Sequence, residues 1–253
     1  MELYRYSPLG SCKNVKRFVK FIAQQQVYFS SPREFNDPFD KPLIALDGSD
    51  SEINSIINPV VKGLRRSDGR LLSPSQRISA TQRLKRRHRS SEFRKTLNDR
   101  ILDDYCALCL SQDNNIPTMW SHYADNHKGV CVGFKLDQLK LNFDHFFRIN
   151  YLDKRPDVSI FDASQPLKIL KAYSTKGTHW SYEKEVRVVN MHGAKLVPFN
   201  KNLIGSIYLG SEISASEKDL IITLVKKYMS DVPILLSKRN EESLSIDFEE
   251  ITS

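Results

Sequence analysis

Residues 179–189 read HWSYEKEVRVV. A strand's two-residue period through this run puts Glu183, Glu185 and Arg187 on one face and Tyr182, Lys184 and Val186 on the other. Runs of the same kind recur on both sides of it: LYRY (3–6), VYFSS (27–31), CALCLS (106–111), VCVGF (130–134), FFRINYL (146–152), IGSIYLG (204–210), PILLS (233–237) and SLSIDF (243–248). Helical spacing is confined to fewer stretches. Asn14 is placed to cap a helix carrying Val15, Phe18, Val19 and Ile22. Pro117 opens one with Met119, Trp120 and Tyr123, and QPLKILKAY (165–173) reads as another. Ser214 and Glu217 form a capping-box signature for a helix over 217–229. Many short strands among few long helices argue for an α+β chain with a mostly antiparallel sheet, over a doubly wound parallel one.

The chain has 253 residues, 40% hydrophobic and 27% charged, which is an ordinary globular composition. No Pro/Gly/Ser linker divides it and no internal repeat is found, so it reads as one domain, 1–253, with a helical insertion over 50–104 broken around Asp68-Gly69 and Ser73-Pro74. Its apolar runs, such as Leu220 to Val225, fall far short of the ~20 residues of a membrane span. The start MELYRYSPLG has no apolar signal core, so a cytosolic protein is the expectation. Cys106 and Cys109 lack a second CxxC, so no metal is expected and Cys12, Cys106, Cys109 and Cys131 read as reduced, mostly buried thiols. The formal charge of +8 is concentrated: residues 62–100 hold thirteen Lys and Arg against Asp68, Glu92 and Asp99. Arg83, Lys85, Arg86 and Arg87 are its densest part and make nucleic acid a candidate partner. A solvated basic helix face gives the same pattern.

Three segments carry residues suited to chemistry. Glu183 and Glu185, roughly 7 Å apart on a strand, suit stabilisation of positive charge and proton transfer; an exposed Glu185–Arg187 pair is the bland alternative. TMWSHYADNHKGV (118–130) gathers Trp120, His122, Tyr123 and His127, suited to stacking on a planar ring and to moving protons, or to packing a core. Arg5, flanked by Tyr4 and Tyr6, offers a guanidinium fork for a pyrophosphate, with Ser30 and Ser31 next in the chain. After them, SSPREFNDPFDKP (30–42) reads as an ordered loop containing Asn36 and Asp37, pinned by Phe35 and Phe39. Neither GxGxxG nor GxxxxGK[ST] occurs.

Taken together, YRY (4–6), YFSSPREFNDPFD (28–40), LCLS (108–111), MWSHYADNHKGVCVGF (119–134) and HWSYEKEVRVV (179–189) resemble the bacterial domain-of-unknown-function family numbered 2971. A more distant resemblance is to ADP-ribosyltransferases of the arginine, serine, glutamate type. That resemblance implies a fold of their kind and NAD as substrate. It implies Arg5 on the NAD phosphates, Ser30 or Ser31 holding the nicotinamide-ribose strand, Glu185 in the catalytic place and Glu183 as its partner. Tyr28, Phe39 or Trp120 would stack on the nicotinamide. The sequence departs from that pattern where Pro32 follows the serine pair. The resemblance further implies a toxin or antiphage effector acting on protein or nucleic acid, and leaves a neutralising partner protein open. Two other classes compete: a nuclease using His122, His127 and Glu183, and a non-catalytic nucleic-acid-binding module using 62–100.

Overall fold

Tyr6, Cys131 and Tyr208 are register neighbours on three adjacent strands, and their side chains share one face of a sheet whose other face buries Leu3, Val132 and Ile207. The alternation read from the sequence is thus realised on a single sheet. The computed structural model describes residues 1–41, 48–156, 158–159, 166–191, 193 and 195–251. Its strands are β1 (Glu2–Ser7), β2 (Gln26–Tyr28), β3 (Cys106–Ser111), β4 (Val130–Lys135), β5 (Phe146–Arg148), β6 (Asn150–Tyr151), β7 (Thr175–Lys176), β8 (Glu185–Asn190), β9 (Leu196–Pro198), β10 (Ile204–Leu209), β11 (Ile234–Arg239) and β12 (Ile246–Glu250). Its helices are α1 (Cys12–Gln24), α2 (Asp50–Gly63), α3 (Pro74–His88), α4 (Ser91–Asp104), α5 (Pro117–Tyr123), α6 (Leu136–Asn142), α7 (Pro166–Tyr173) and α8 (Ala215–Tyr228). Pro42 and Gln165, which the sequence reading assigned to a loop and a helix, lie outside the described residues.

Eight strands form one sheet in the order β12-β11-β10-β4-β1-β3-β8-β5. All its pairings are antiparallel except β10–β11, which is parallel because α8 carries the chain back between them. β2 pairs with β9, and β6 with β7, in two small separate sheets. The fold is therefore α+β and mostly antiparallel, as the strand pattern predicts. On one face, Phe18 and Ile22 of α1, Leu139 of α6, and Ile221 and Val225 of α8 pack on Leu108, Leu110, Phe134, Val186 and Val188. On the other, Met119 and Trp120 of α5 pack against Tyr6, Cys131, Tyr208 and Ile246.

The centre of the sheet is split. β1 pairs with β4 from Glu2 to Ser7, but with β3 only at Tyr4↔Ser111. Beyond that point β3 takes its next partner from elsewhere, through a bridge between Ala107 and Ser30. The opening between β1 and β3 is where the candidate site lies.

Local details depart from the sequence reading. The cap of α1 is Ser11, whose hydroxyl accepts from the Asn14 amide, so Asn14 lies inside the helix. In the insertion, both predicted breaks fall within one connection, 64–73, folded by a turn at Ser67–Gly69, and a further break separates α3 from α4 at Arg89-Ser90. The four cysteines are free; Cys106 and Cys131 are buried, whereas Cys12 is exposed. Among the described residues no helix is long and apolar enough to cross a membrane.

The insertion has its own apolar contact: Ile53, Ile57 and Val61 of α2 meet Ala80 and Leu84 of α3. Ile57→Ala should remove about 2 kcal/mol or more of that packing. Hydrogen exchange is then expected to quicken across 50–88 and stay unchanged in β1, β4 and β10; equal loss of protection in both regions would show that the insertion is coupled to the sheet.

Candidate functional site

Five charged side chains meet beside the split: Asp40, Lys176, Glu183, Glu185 and Arg187, all buried. β8 supplies two. Its alternation sends Val186 and Val188 into the main core and Glu185 and Arg187 to the opposite face. Glu183 arrives differently from the expected strand: residues 178–183 form a 3-10 helix, and Lys184 then adopts φ 45°. That left-handed step turns the chain into β8 and brings both carboxylates to one amine. Lys176 Nζ donates to Glu183 Oε2 at 2.6 Å and to Glu185 Oε2 at 3.3 Å.

Arg187, 0% exposed, is the hub. Its Nε donates to Glu185 Oε1 at 2.7 Å, its Nη2 to both oxygens of Asp40 at 2.6 and 2.8 Å, and its Nη1 to the Tyr173 carbonyl at 2.9 Å. Glu185 and Arg187 do pair, as on an exposed strand face, but in the interior, where removing one partner strands a charge.

The loop 35–40 closes over this hub. Phe35 lies under the Arg187 guanidinium, with 4.9 Å from Cζ to the ring centroid. The Asp37 carboxylate accepts from Trp180 Nε1 at 2.6 Å, and the Trp180 ring lies 4.9 Å from Lys176 Nζ. Phe39 does not pin the loop; it is 76% exposed, and Arg155 holds the backbone there through the Phe39 and Lys41 carbonyls.

A cleft of about 350 Å³ opens onto the cluster, with Tyr4, Arg5, Tyr6, Ser30, Asn36, Ser111, Met119, Tyr123, Glu183 and Glu185 in its wall. All three sequence segments therefore reach one cleft. Arg5 donates one bond, from Nη1 to the Tyr28 carbonyl at 2.9 Å. The Tyr123 hydroxyl donates to Glu183 Oε1 at 2.7 Å and accepts from Asn36 Nδ2 at 3.1 Å.

Other expected site residues do different work. Trp120 is fully buried, with Nε1 bonded to the Asn114 carbonyl, so it cannot stack on a ligand. The buried Ser31 hydroxyl donates to the Leu102 carbonyl and accepts from the Arg33 amide, which makes it structural. His122 stands outside the cleft wall with Tyr182 and Trp180, while His127 faces Ser121 and stacks on Trp120. The two histidines and Glu183 do not converge. Part of the ADNHKG run is explained by backbone shape: Asp125, Asn126 and His127 all have φ between 51° and 66°. These types tolerate that region better than most. A Cβ on Gly129 would stand 2.3 Å from the Ser7 carbonyl oxygen. Arg83, Arg86 and Arg87 are exposed on α3, far from any role in the buried cluster, and Lys85 lies 3.7 Å from Asp50. Among the described residues no group of three or more His, Cys, Asp or Glu is placed to hold a metal ion.

The family model described as "Protein of unknown function (DUF2971)" matches residues 119–188. The resemblance to that family is thereby shown. The DUF2971 segment contains α5 from Met119 onward, Lys176, both glutamates and Arg187; Arg5, Ser30 and Asp40 come from outside it. No curated protein and no solved structure matches the chain.

Burial and pairing set the proton affinities. Burial works to raise Glu185, but Arg187 and Lys176 bring it down to about 2. Burial raises Glu183 and Asp40 above the ordinary carboxylate range, against the pull of their cations. Burial opposes the charge on Lys176, yet Glu185, Glu183 and Asp40 together raise it. Tyr123 is raised by burial and by Glu183.

Two consequences are measurable. Arg187→Met should cost about 3–5 kcal/mol in denaturant unfolding, because two carboxylates lose their shared donor. Glu185 is more acidic folded than unfolded, so its contribution is complete above pH ~4.3 and is lost as pH falls towards 2. Glu183 and Asp40 act in the opposite sense, contributing less as pH rises through their raised values. Relative to wild type, Glu185→Gln should therefore lack an acid-labile component on the order of 3 kcal/mol; parallel pH profiles for the two proteins would contradict this.

Proposed function

We propose that this cleft binds NAD and cleaves its nicotinamide–ribose bond, as an ADP-ribosyltransferase or NAD glycohydrolase does. The observation that carries the reading is the meeting of Arg5, Ser30, Glu183 and Glu185 in one cleft wall, from segments nearly 180 residues apart in the chain. The charge balance supports it. Asp40, Glu183 and Glu185 outnumber Lys176 and Arg187, so the ionised cluster carries one excess negative charge beside the cleft. Such a floor favours a cation, and Arg5 at the wall offers donors to phosphate.

In the proposed reaction the C1′–N bond breaks and its electron pair leaves with the nicotinamide, which becomes neutral. The ribosyl carbon then carries oxocarbenium character, stabilised by the ionised Glu185. An acceptor hydroxyl or water attacks C1′ and passes its proton to Glu183. The raised proton affinity of Glu183 suits it to that task, and Lys176 and Tyr123 hold its two oxygens in place. Arg187 and Asp40 act as positioning residues for Glu185.

Nicotinamide release from NAD by purified protein, alone and with RNA, DNA or cell lysate, tests the reading. Wild type should release nicotinamide, and Glu183→Gln should slow release by about 10²–10⁴-fold with its fold intact by circular dichroism. Absence of release by wild type under every condition would overturn it.

A specific observation also favours nucleic acid as the acceptor or as a bound partner. α3 buries no residue; Ala80 and Leu84 face α2, while Arg83, Arg86 and Arg87 face solvent. Binding through this helix should weaken with salt. Replacing those three arginines with alanine should lower the slope of log affinity against log salt by about 3 if each neutralises one phosphate. An unchanged slope would remove α3 from the interface.

A further inference from the structure

A second cavity, of about 320 Å³, lies under α1 and shares Arg5 and Pro8 with the cleft. Small-ligand clefts span ~300–1,000 Å³, so each cavity alone is near the lower bound and the two joined are well within the range. The floor of the second is apolar, from Phe18, Phe21, Val132 and Phe134. Its rim is cationic, from Arg17 and Lys20. Arg17 Cζ lies 5.3 Å from the centroid of the Tyr28 ring, and neither Arg17 nor Lys20 forms an ion pair among the described residues.

The sheet explains why one arginine serves both spaces. Leu3, Arg5 and Ser7 point to the α1 side of β1, and Tyr4 and Tyr6 to the α5 side. In a continuous sheet Arg5 would be confined to one face. Here β1 and β3 pair only at Tyr4↔Ser111, so Arg5 stands at the gap and lines the cavity on each side.

We infer that the cavity under α1 is the second half of one bipartite site and takes the adenylate end of a dinucleotide. The apolar floor receives the adenine, Arg17 and Lys20 receive the phosphate of that half, and Arg5 spans the pyrophosphate between the halves. The identity of the nucleotide rests on the NAD reading; the existence of an adenylate subsite does not require cleavage.

The test is calorimetric titration of AMP into the full chain, with nicotinamide release measured on the same preparations. Wild type should bind AMP, and Arg17→Ala with Lys20→Ala should weaken it by about tenfold or more. Lys226→Ala with Lys227→Ala, which removes the same charge from the exposed face of α8, should leave it unchanged. AMP binding that is insensitive to Arg17 and Lys20, or equally sensitive to the α8 pair, overturns the subsite. No AMP binding by a protein that releases nicotinamide also overturns it while the NAD reading stands. AMP binding that depends on Arg17, with no nicotinamide released under any condition, supports the subsite and removes the NAD reading.

Discussion

A fully buried guanidinium has to be answered by acceptors, and Arg187 gathers most of this site in meeting that demand. It draws Glu185 from its own strand, Asp40 from a loop 147 residues away and the Tyr173 carbonyl from the end of α7. Lys176 then becomes necessary, since three carboxylates around one cation would be a steep electrostatic cost in the interior. The FNDPFD and WSYEKEVR runs, far apart in sequence, are two halves of one lock: Phe35 on Arg187, Asp37 on Trp180, Asp40 on Arg187. A lock of this kind holds the glutamates at fixed positions beside an open space, which is what a reaction centre needs.

The opening itself comes from strand pairing. β1 pairs with β4 along its length on one edge, and with β3 at a single register position on the other. The bridge from Ser30 to Ala107 satisfies part of the β3 main chain left open by this break, through Ser30 N to the Ala107 carbonyl and Ala107 N to the Ser30 carbonyl, each at 2.8 Å. The cleft is thus built into the centre of a sheet, with Arg5, Ser111 and Glu185 of three strands in its walls.

The period-2 runs made the strands legible, and the helices with clear apolar stripes were legible too. The parallel β10–β11 pair departs from the antiparallel expectation, and its signal was the helix between IGSIYLG and PILLS, not the two strand runs themselves. Glu183 and Glu185 were identified as partners for a reason that proved partly wrong: they share a face through a left-handed Lys184, not through strand alternation. Asp40 sat inside a quoted motif without standing out, since an aspartate after proline and phenylalanine reads as loop chemistry. Lys176 left no signal, because its role exists only once three carboxylates from two segments converge. Trp120 and Ser31 drew attention for their residue type, yet both are engaged by main-chain carbonyls in the interior. Type and spacing gave the chain order of the site; burial decided which members face the cleft.

The most direct test of the central claim, that the split between β1 and β3 is an NAD site, is hydrogen exchange with a carbocyclic, uncleavable NAD analogue. Binding there should protect residues 4–8, 28–36, 109–111 and 183–185 and leave α3 unchanged. Protection confined to α3, or none at saturating analogue, would contradict it.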